Sequence, residues 1–444
     1  MRTLIRRRAA ASDLPREVWV LAAVAFSVAL GFGIVAPVIP VFARHFGVGQ
    51  TAAGLVISAF AFMRLCFSPA GGWLVNRFGE RVIMATGIGI VAASSFLTGL
   101  AQNYHQMLAL RAIGGIGSVM FSVSAQSLLL RSVSAGQRGL ASSRYYGGFL
   151  LGGLTGPALG GVLGGISLRL PFFLYAATLT AAGTIAMVFL HRSERMETTA
   201  TVAAPVTTLR RALKDKAYQA ALTVNGGTGW AIFGIRSSLV PLFVVDALHR
   251  STVWIGLGLL IGSITDVLLL QKTGKLSDAN GRRPMMIGGT AVGGTAALIL
   301  AFVPHLPAYL LAMSLLGAAS AMLSVGPSAV VGDILHGRGG TVVSTFGMAS
   351  DLGAVIGPLV AGALAEHVSY KAAFTSTALV LSLGLAMAIR MPETVHRSRR
   401  SATDPAADPA AGADSADPGS AESVAEVREQ VGDVLDADGK ANQV

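Results

Sequence analysis

The chain is poor in the residues from which soluble enzymes usually build their chemistry. Its one cysteine, Cys66, excludes a disulfide framework and any cysteine-based metal site. Cys66 lies in an apolar run, where a small packing residue is expected. Charged residues are 13% of 444 positions against 52% hydrophobic, and the mean hydropathy is +0.62, too apolar for a soluble surface of ordinary size. No P-loop, H-E-x-x-H or G-x-S-x-G occurs, and few polar groups converge in any apolar run, so neither an enzyme nor a cofactor is expected. Alternation of polar and apolar residues is also missing from these runs, which excludes the strands of a membrane barrel. Helices remain, because in lipid every backbone polar group must be satisfied within its own segment.

What is present is basic charge, and its distribution decides its meaning. The net charge is +11, yet residues 401–444 hold two basic and ten acidic residues, so residues 1–400 carry +19. That excess sits in alternate short loops, the mark of membrane topology rather than of a nucleic-acid patch. Only Arg44, Arg169, Arg250 and Lys371 fall in the loops of the opposite side, which places both termini in the cytoplasm of a cell (inner) membrane protein with an even number of spans. The basic start (Arg2, Arg6, Arg7, Arg8) precedes an uncharged stretch from Val18 to Ala43, too long for a signal peptide and without a small-residue cleavage site, so it is expected to stay as the first span.

Loops, charges and Gly/Pro punctuation predict helices at 17–43, 51–75, 82–101, 106–130, 140–165 and 171–191, then at 217–246, 252–275, 284–304, 306–330, 342–366 and 369–391. The expected organisation is a cytoplasmic segment (1–16), a six-helix bundle (17–191), a polar cytoplasmic loop (192–216), a second six-helix bundle (217–391) and an Ala/Asp/Pro/Ser/Gly tail (392–444) too polar to fold alone.

The chain repeats itself. An offset of 202 brings Gly72-Trp73-Leu74-Val75-Asn76-Arg77-Phe78-Gly79-Glu80-Arg81 onto Gly274-Lys275-Leu276-Ser277-Asp278-Ala279-Asn280-Gly281-Arg282-Arg283. An offset of 201 brings Gly152-x-x-x-Gly156-Pro157-x-x-Gly160-Gly161 onto Gly353-x-x-x-Gly357-Pro358-x-x-Ala361-Gly362. Parallel six-helix repeats about an axis along the membrane normal are a transporter architecture, with the substrate site between them near the midplane.

These segments resemble the major facilitator superfamily, in particular its proton-coupled, twelve-helix drug exporters. The G-x-L-x-D-R-x-G-R-R loop of that family is matched twice, its fourth-helix pattern by Arg111 to Gly117, and its exporter-associated fifth-helix pattern by residues 152–161. The resemblance covers about residues 17–391. It implies an all-α membrane protein of two pseudo-symmetric bundles that moves a small amphiphilic molecule by alternating access, working as a monomer with the proton as coupling ion. It also implies that the loop acid helps to lock the cytoplasmic side. Here Asn76 replaces that acid in the first copy, and Asp278 keeps it in the second.

The residues themselves support a matching set of roles. Gly72, Gly79, Gly274 and Gly281 permit tight loops, while Arg77, Arg81, Arg282 and Arg283 can bind carboxylates, helix ends or lipid phosphates. Gly148, Gly152, Gly156, Gly160 and Gly164 form a smooth stripe, with Pro157 adding a kink; a hinge or close seam between the halves competes with plain small-residue packing, and Gly357 and Pro358 repeat the pattern. Ionisable residues inside spans usually face a partner or a wet cavity. Four stand out: Arg64, Arg111, Arg236 and Asp266. Arg64 and Asp266 are equivalent under the 202-residue offset and could pair across a central cavity in one state and separate in another, against the alternative of a purely structural ion pair. Arg111 matches the family arginine implicated in proton coupling. Asp351 is a second candidate acid, against the alternative that it bonds to backbone beside the small-residue run, and Gln126 and Asn225 either line the cavity or make interhelical hydrogen bonds. The first span has none of the acids that many cation-exporting relatives carry, so charge complementarity favours neutral or anionic amphiphiles. Competing functions are an uptake permease of the same fold and a non-transporting membrane sensor.

Overall fold

A computed structural model describes residues 14–133, 138–189, 208–334 and 340–394. Most of the basic N-terminal stretch, most of the central loop and the tail beyond 394 lie outside the described residues. Twelve helices are long and apolar enough to cross a membrane. We number them α1 (Arg16–His45), α2 (Gln50–Phe78), α3 (Glu80–Leu100), α4 (Tyr104–Arg131), α5 (Arg138–Ile166), α6 (Leu170–Phe189), α7 (Lys216–Ala247), α8 (Thr252–Asn280), α9 (Arg282–Phe302), α10 (Leu306–Ile334), α11 (Gly340–His367) and α12 (Tyr370–Arg390). No strand occurs among the described residues. Every helix sits where hydropathy predicts it, but α2, α8 and α10 run about one turn further than their apolar runs. Backbone hydrogen bonding continues through polar residues once the helix has left the apolar layer.

Local chemistry fixes the helix ends. Asn103 accepts the Gln106 amide at 2.9 Å and Ser369 that of Ala372 at 3.1 Å, so α4 and α12 begin on side-chain caps. The turns between α2 and α3 and between α8 and α9 are made by Gly79 (φ 87°) and Gly281 (φ 107°), in the left-handed region that only glycine enters freely. Within α1 the chain turns at 36–38, around Pro37, before the helix resumes at Ile39.

Helices α1–α6 and α7–α12 form two six-helix halves of like design. In the first, α1 packs on α5 and α6, α4 on α2 and α3, and α3 on α6; in the second, α7 packs on α11 and α12, α10 on α8 and α9, and α9 on α12. The halves meet along two main seams, α2 with α11 and α5 with α8, with smaller contacts of α7 on α1 and α2. Buried aromatics anchor each interior, with Phe42 and Phe172 in one half and Tyr309 and Phe374 in the other.

The glycine stripe of α5 packs within its own half. A Cβ at Gly148 or Gly152 would strike the carbonyls of Ala22 or Phe26, and one at Gly156 or Gly160 those of Leu30 or Ile34, all on α1. Gly353 and Gly357 of α11 abut α7 in the same way, at Gly226, Trp230 and Gly234. The seam between halves is built from the next face of the same helices: Pro157 and Gly161 against Gly256 of α8, and Pro358 and Gly362 against Gly54 and Gln50 of α2. The predicted close seam is thus present, but Gly152, Gly156, Gly160 and Gly357 are not on it. A four-residue repeat on a helix marks one face, and a different face, one residue on, turns to the opposite half.

Candidate functional site

All polar contacts between the halves, among the described residues, gather at the bundle end that carries the α1–α2, α5–α6, α7–α8 and α11–α12 connections. Gln50 Nε2 donates to the Tyr370 hydroxyl at 2.9 Å, and the Thr51 amide to Glu366 Oε2 at 2.8 Å. Ser58 Oγ donates to the Val355 carbonyl at 2.7 Å and Thr252 Oγ1 to the Gly161 carbonyl at 3.0 Å. Arg44 faces Asp246 at 3.7 Å, and Asp246 also accepts from the Tyr370 hydroxyl at 3.1 Å. We call this the clasped end. At the opposite end, which carries the two G-x-L-x-x-R-x-G loops, a Cβ at Gly72, Gly147, Gly274 or Gly347 would meet nothing within 4 Å.

The loops at this motif end tie each half to itself. Arg81 donates to the Met187 carbonyl at the end of α6, and Arg283 to the Ile389 carbonyl at the end of α12 at 2.6 Å, the same contact one repeat apart. Glu80 pairs with Arg131 at 3.0 Å; Arg282 pairs with Asp333 at 3.3 Å and with Asp278 at 2.5 Å. Arg77 lies over the rings of Trp73 and Phe78, at 5.5 and 5.7 Å. Asn76 falls on the last turn of α2. Among the described residues no polar contact from either loop reaches the other half, so in this conformation Asp278 serves its own helix end.

The intramembrane charges lie between these two ends. Arg64 Nη1 donates to Ser118 Oγ of α4 at 2.6 Å, and Ser320 Oγ of α10 donates to Asp266 Oδ2 at 2.8 Å. Ser118 and Ser320 are themselves 202 residues apart, so the two bonds are copies in which the hydroxyl is kept and the charge reversed. Arg64 and Asp266, foreseen as partners of each other, are here each held by a serine of their own half. Arg236 donates to Ser263 Oγ at 2.7 Å, within electrostatic reach of Asp266. With Ser320 it lines a small apolar cavity among α7, α9, α10 and α12. Its backbone, Trp230–Leu239, is π-helical, next to Pro241, which has no amide to give to the carbonyl four residues earlier.

Arg111 is buried at 4% exposure with its guanidinium 4.6 Å above the Phe60 ring, and its Nε has no hydrogen-bond partner among the described residues. A ring face supplies partial compensation where no carboxylate does. Asp351 of α11 is half-buried and within electrostatic reach of Arg64 across the α2–α11 seam. Asn225 Nδ2 donates to the Phe346 carbonyl at 2.7 Å, an interhelical bond inside the second half, and Gln126 reaches the Tyr146 hydroxyl at 3.5 Å. Sequence reasoning missed the three serines that hold the charges, although the 202-residue offset relates Ser118 to Ser320. Among the described residues no cluster of His, Cys, Asp and Glu could hold a metal.

Comparison with known proteins agrees with this arrangement. The model of the Major Facilitator Superfamily matches residues 21–272 and 233–427. The chain is 25% identical over 371 residues to Multidrug resistance protein 1 of Bacillus subtilis (strain 168), covering 82% of this chain and 93% of that protein. It is 28% identical over 187 residues to the quinolone resistance protein NorA of Staphylococcus aureus, a match that spans 41% of this chain and 47% of that one. Its fold is similar to a bacterial homologue of the human lysosomal transporter Spinster, solved in an inward-facing, unoccupied conformation, with a TM-score of 0.69 at 15% identity over 87% of this chain and 98% of that one. With twelve spans, two six-helix halves and drug-resistance proteins among its relatives, the chain is a multi-pass membrane transporter, not an enzyme, and it belongs to the Major Facilitator Superfamily.

Proposed function

We propose that the protein is a proton-coupled exporter of a small amphiphilic molecule or drug, working by alternating access, with both termini in the cytoplasm. The observation that carries this reading is the one-sided clasp: among the described residues, every polar contact between the halves lies at one end, while the motif loops at the other end bond only within their own half. With the motif loops cytoplasmic, this is the conformer that takes substrate from inside the cell. The basic loops at that end support the orientation, and the names of the two relatives support export.

Closing the motif end and parting the clasp would expose the same charges outside. A proton taken up at Asp266 or Asp351 removes a buried charge and so biases the equilibrium between the two conformers. The test is drug accumulation in inverted membrane vesicles under an imposed pH gradient. We expect uptake that vanishes when the gradient is collapsed and that falls at least tenfold in Asp266→Asn, which keeps the bond to Ser320 but cannot titrate. Accumulation indifferent to the gradient would contradict proton coupling.

A further inference from the structure

The register of the α2–α11 seam brings opposite charges toward each other from the two halves. Gly54 of α2 lies against Pro358 of α11, and one turn on Ser58 bonds to the Val355 carbonyl. The helices are antiparallel, so the next turn toward the motif end turns Asp351 to the face that meets α2, within electrostatic reach of Arg64. Arg64 has five N–H donors and uses one of them on Ser118; Asp351 makes no hydrogen bond or ion pair among the described residues. Two opposite charges one turn beyond a closed contact thus remain unjoined.

We propose that the transported substrate is amphoteric, bridging the halves with an anionic group on Arg64 and Ser118 and a cationic group on Asp351. A ligand of one sign would be opposed by one of the two walls, whereas a carboxylate and an ammonium on the same molecule satisfy both. Arg64 and Ser118 belong to the first half and Asp351 to the second, so a bridging ligand draws α2 and α11 together below the existing clasp and favours closure of the motif end. Asp266, held by Ser320 beside Arg236, stays outside this bridge and is left for the proton. The inference rests on the transport reading above.

The test uses the full chain in inverted vesicles and three probes: a quinolone bearing a carboxylate and a secondary amine, its methyl ester, which keeps only the amine, and its N-acetyl derivative, which keeps only the carboxylate. The parent is expected to favour the amphoteric compound over each derivative by about tenfold or more in kcat/KM. Arg64→Gln should erase the preference for acid over ester while still moving the ester. Asp351→Asn should erase the preference for amine over N-acetyl amine while still moving the N-acetyl compound. A parent that handles all three alike, or variants that lose all three in equal measure, would overturn the assignment. If the parent moves none of them but accumulates the monocation ethidium, transport stands and the amphoteric assignment falls; if it accumulates none of the four under any gradient, both fall.

Discussion

The two halves of the molecule share a scaffold and oppose each other in charge. Arg44, Arg64, Glu80 and Arg131 in the first become Asp246, Asp266, Arg282 and Asp333 in the second, each 202 residues later. Where both members of a contact reversed together the pair survived, so Glu80–Arg131 and Arg282–Asp333 fasten equivalent loop ends with opposite polarity. Where the partner was a hydroxyl, which can donate or accept, reversal cost nothing: Ser118 accepts from Arg64 and Ser320 donates to Asp266. The fourth position, Arg44 and Asp246, instead pairs across the pseudo-twofold axis and helps to close the clasp. The repeat therefore keeps geometry and partner type while the sign of the charge differs between the halves.

The largest effect is expected where the halves touch by backbone. A Cβ at Gly256 would stand 2.6 Å from the Pro157 carbonyl and 2.9 Å from the Gly161 Cα, neither of which can move alone. Gly256→Leu should penalise the clasped conformer by about 1–3 kcal/mol, roughly five- to 150-fold in the conformational equilibrium, and transport should fall accordingly. Its mirror, Gly54→Leu, strikes the Pro358 carbonyl and should act alike in the same transport assay; a harmless Gly54→Leu would break the equivalence of the two seams.

Next in size is the buried end of the loop pair. Glu80 holds both Arg131 and the Ser127 hydroxyl, at 3.0 and 3.2 Å, and its side chain is 11% exposed. Glu80→Ala should cost about 1–2 kcal/mol in unfolding experiments in detergent. The double change Glu80→Arg with Arg131→Asp, which installs the polarity of the second half, should recover at least half of the loss; no recovery would mean that the surroundings, and not only the pair, have diverged.

The two loop glycines differ by less. Gly79→Ala should cost about 1 kcal/mol for its left-handed backbone, and Gly281→Ala more, since its Cβ would also meet the Glu393 carboxylate while that of Gly79 meets nothing; thermal unfolding ranks the two. Smallest is Arg44→Gln. The pair spans 3.7 Å with side chains 38% and 28% exposed, so less than about 1 kcal/mol, at most a few-fold change in transport rate, is expected.

The twelve spans were legible because hydropathy and loop charge act on every residue of a membrane helix. The loop glycines Gly79 and Gly281 were legible because only one residue type fits their backbone. The offset also flagged Arg64 with Asp266, yet it could not say what holds them, since a serine in an apolar helix looks the same whether it bonds its own turn, as Ser122 does, or an arginine on the next helix, as Ser118 does. The stripe from Gly148 to Gly160 named a packed face without naming the neighbour, and α1 proved to fill it. The π-helical stretch around Arg236 had only Pro241 and the preceding glycines as a sign, and these fit a kink equally well.

The most direct measurement is of distance at both ends of the bundle. With Cys66→Ser as background, paired spin labels at Arg77→Cys and Ala279→Cys report the motif end, and labels at His45→Cys and Val368→Cys report the clasped end, all at exposed positions. Opposed shifts are expected when substrate and pH are varied, the motif end narrowing as the clasped end widens. Distances that stay fixed at both ends, or that widen and narrow together, would contradict alternating access.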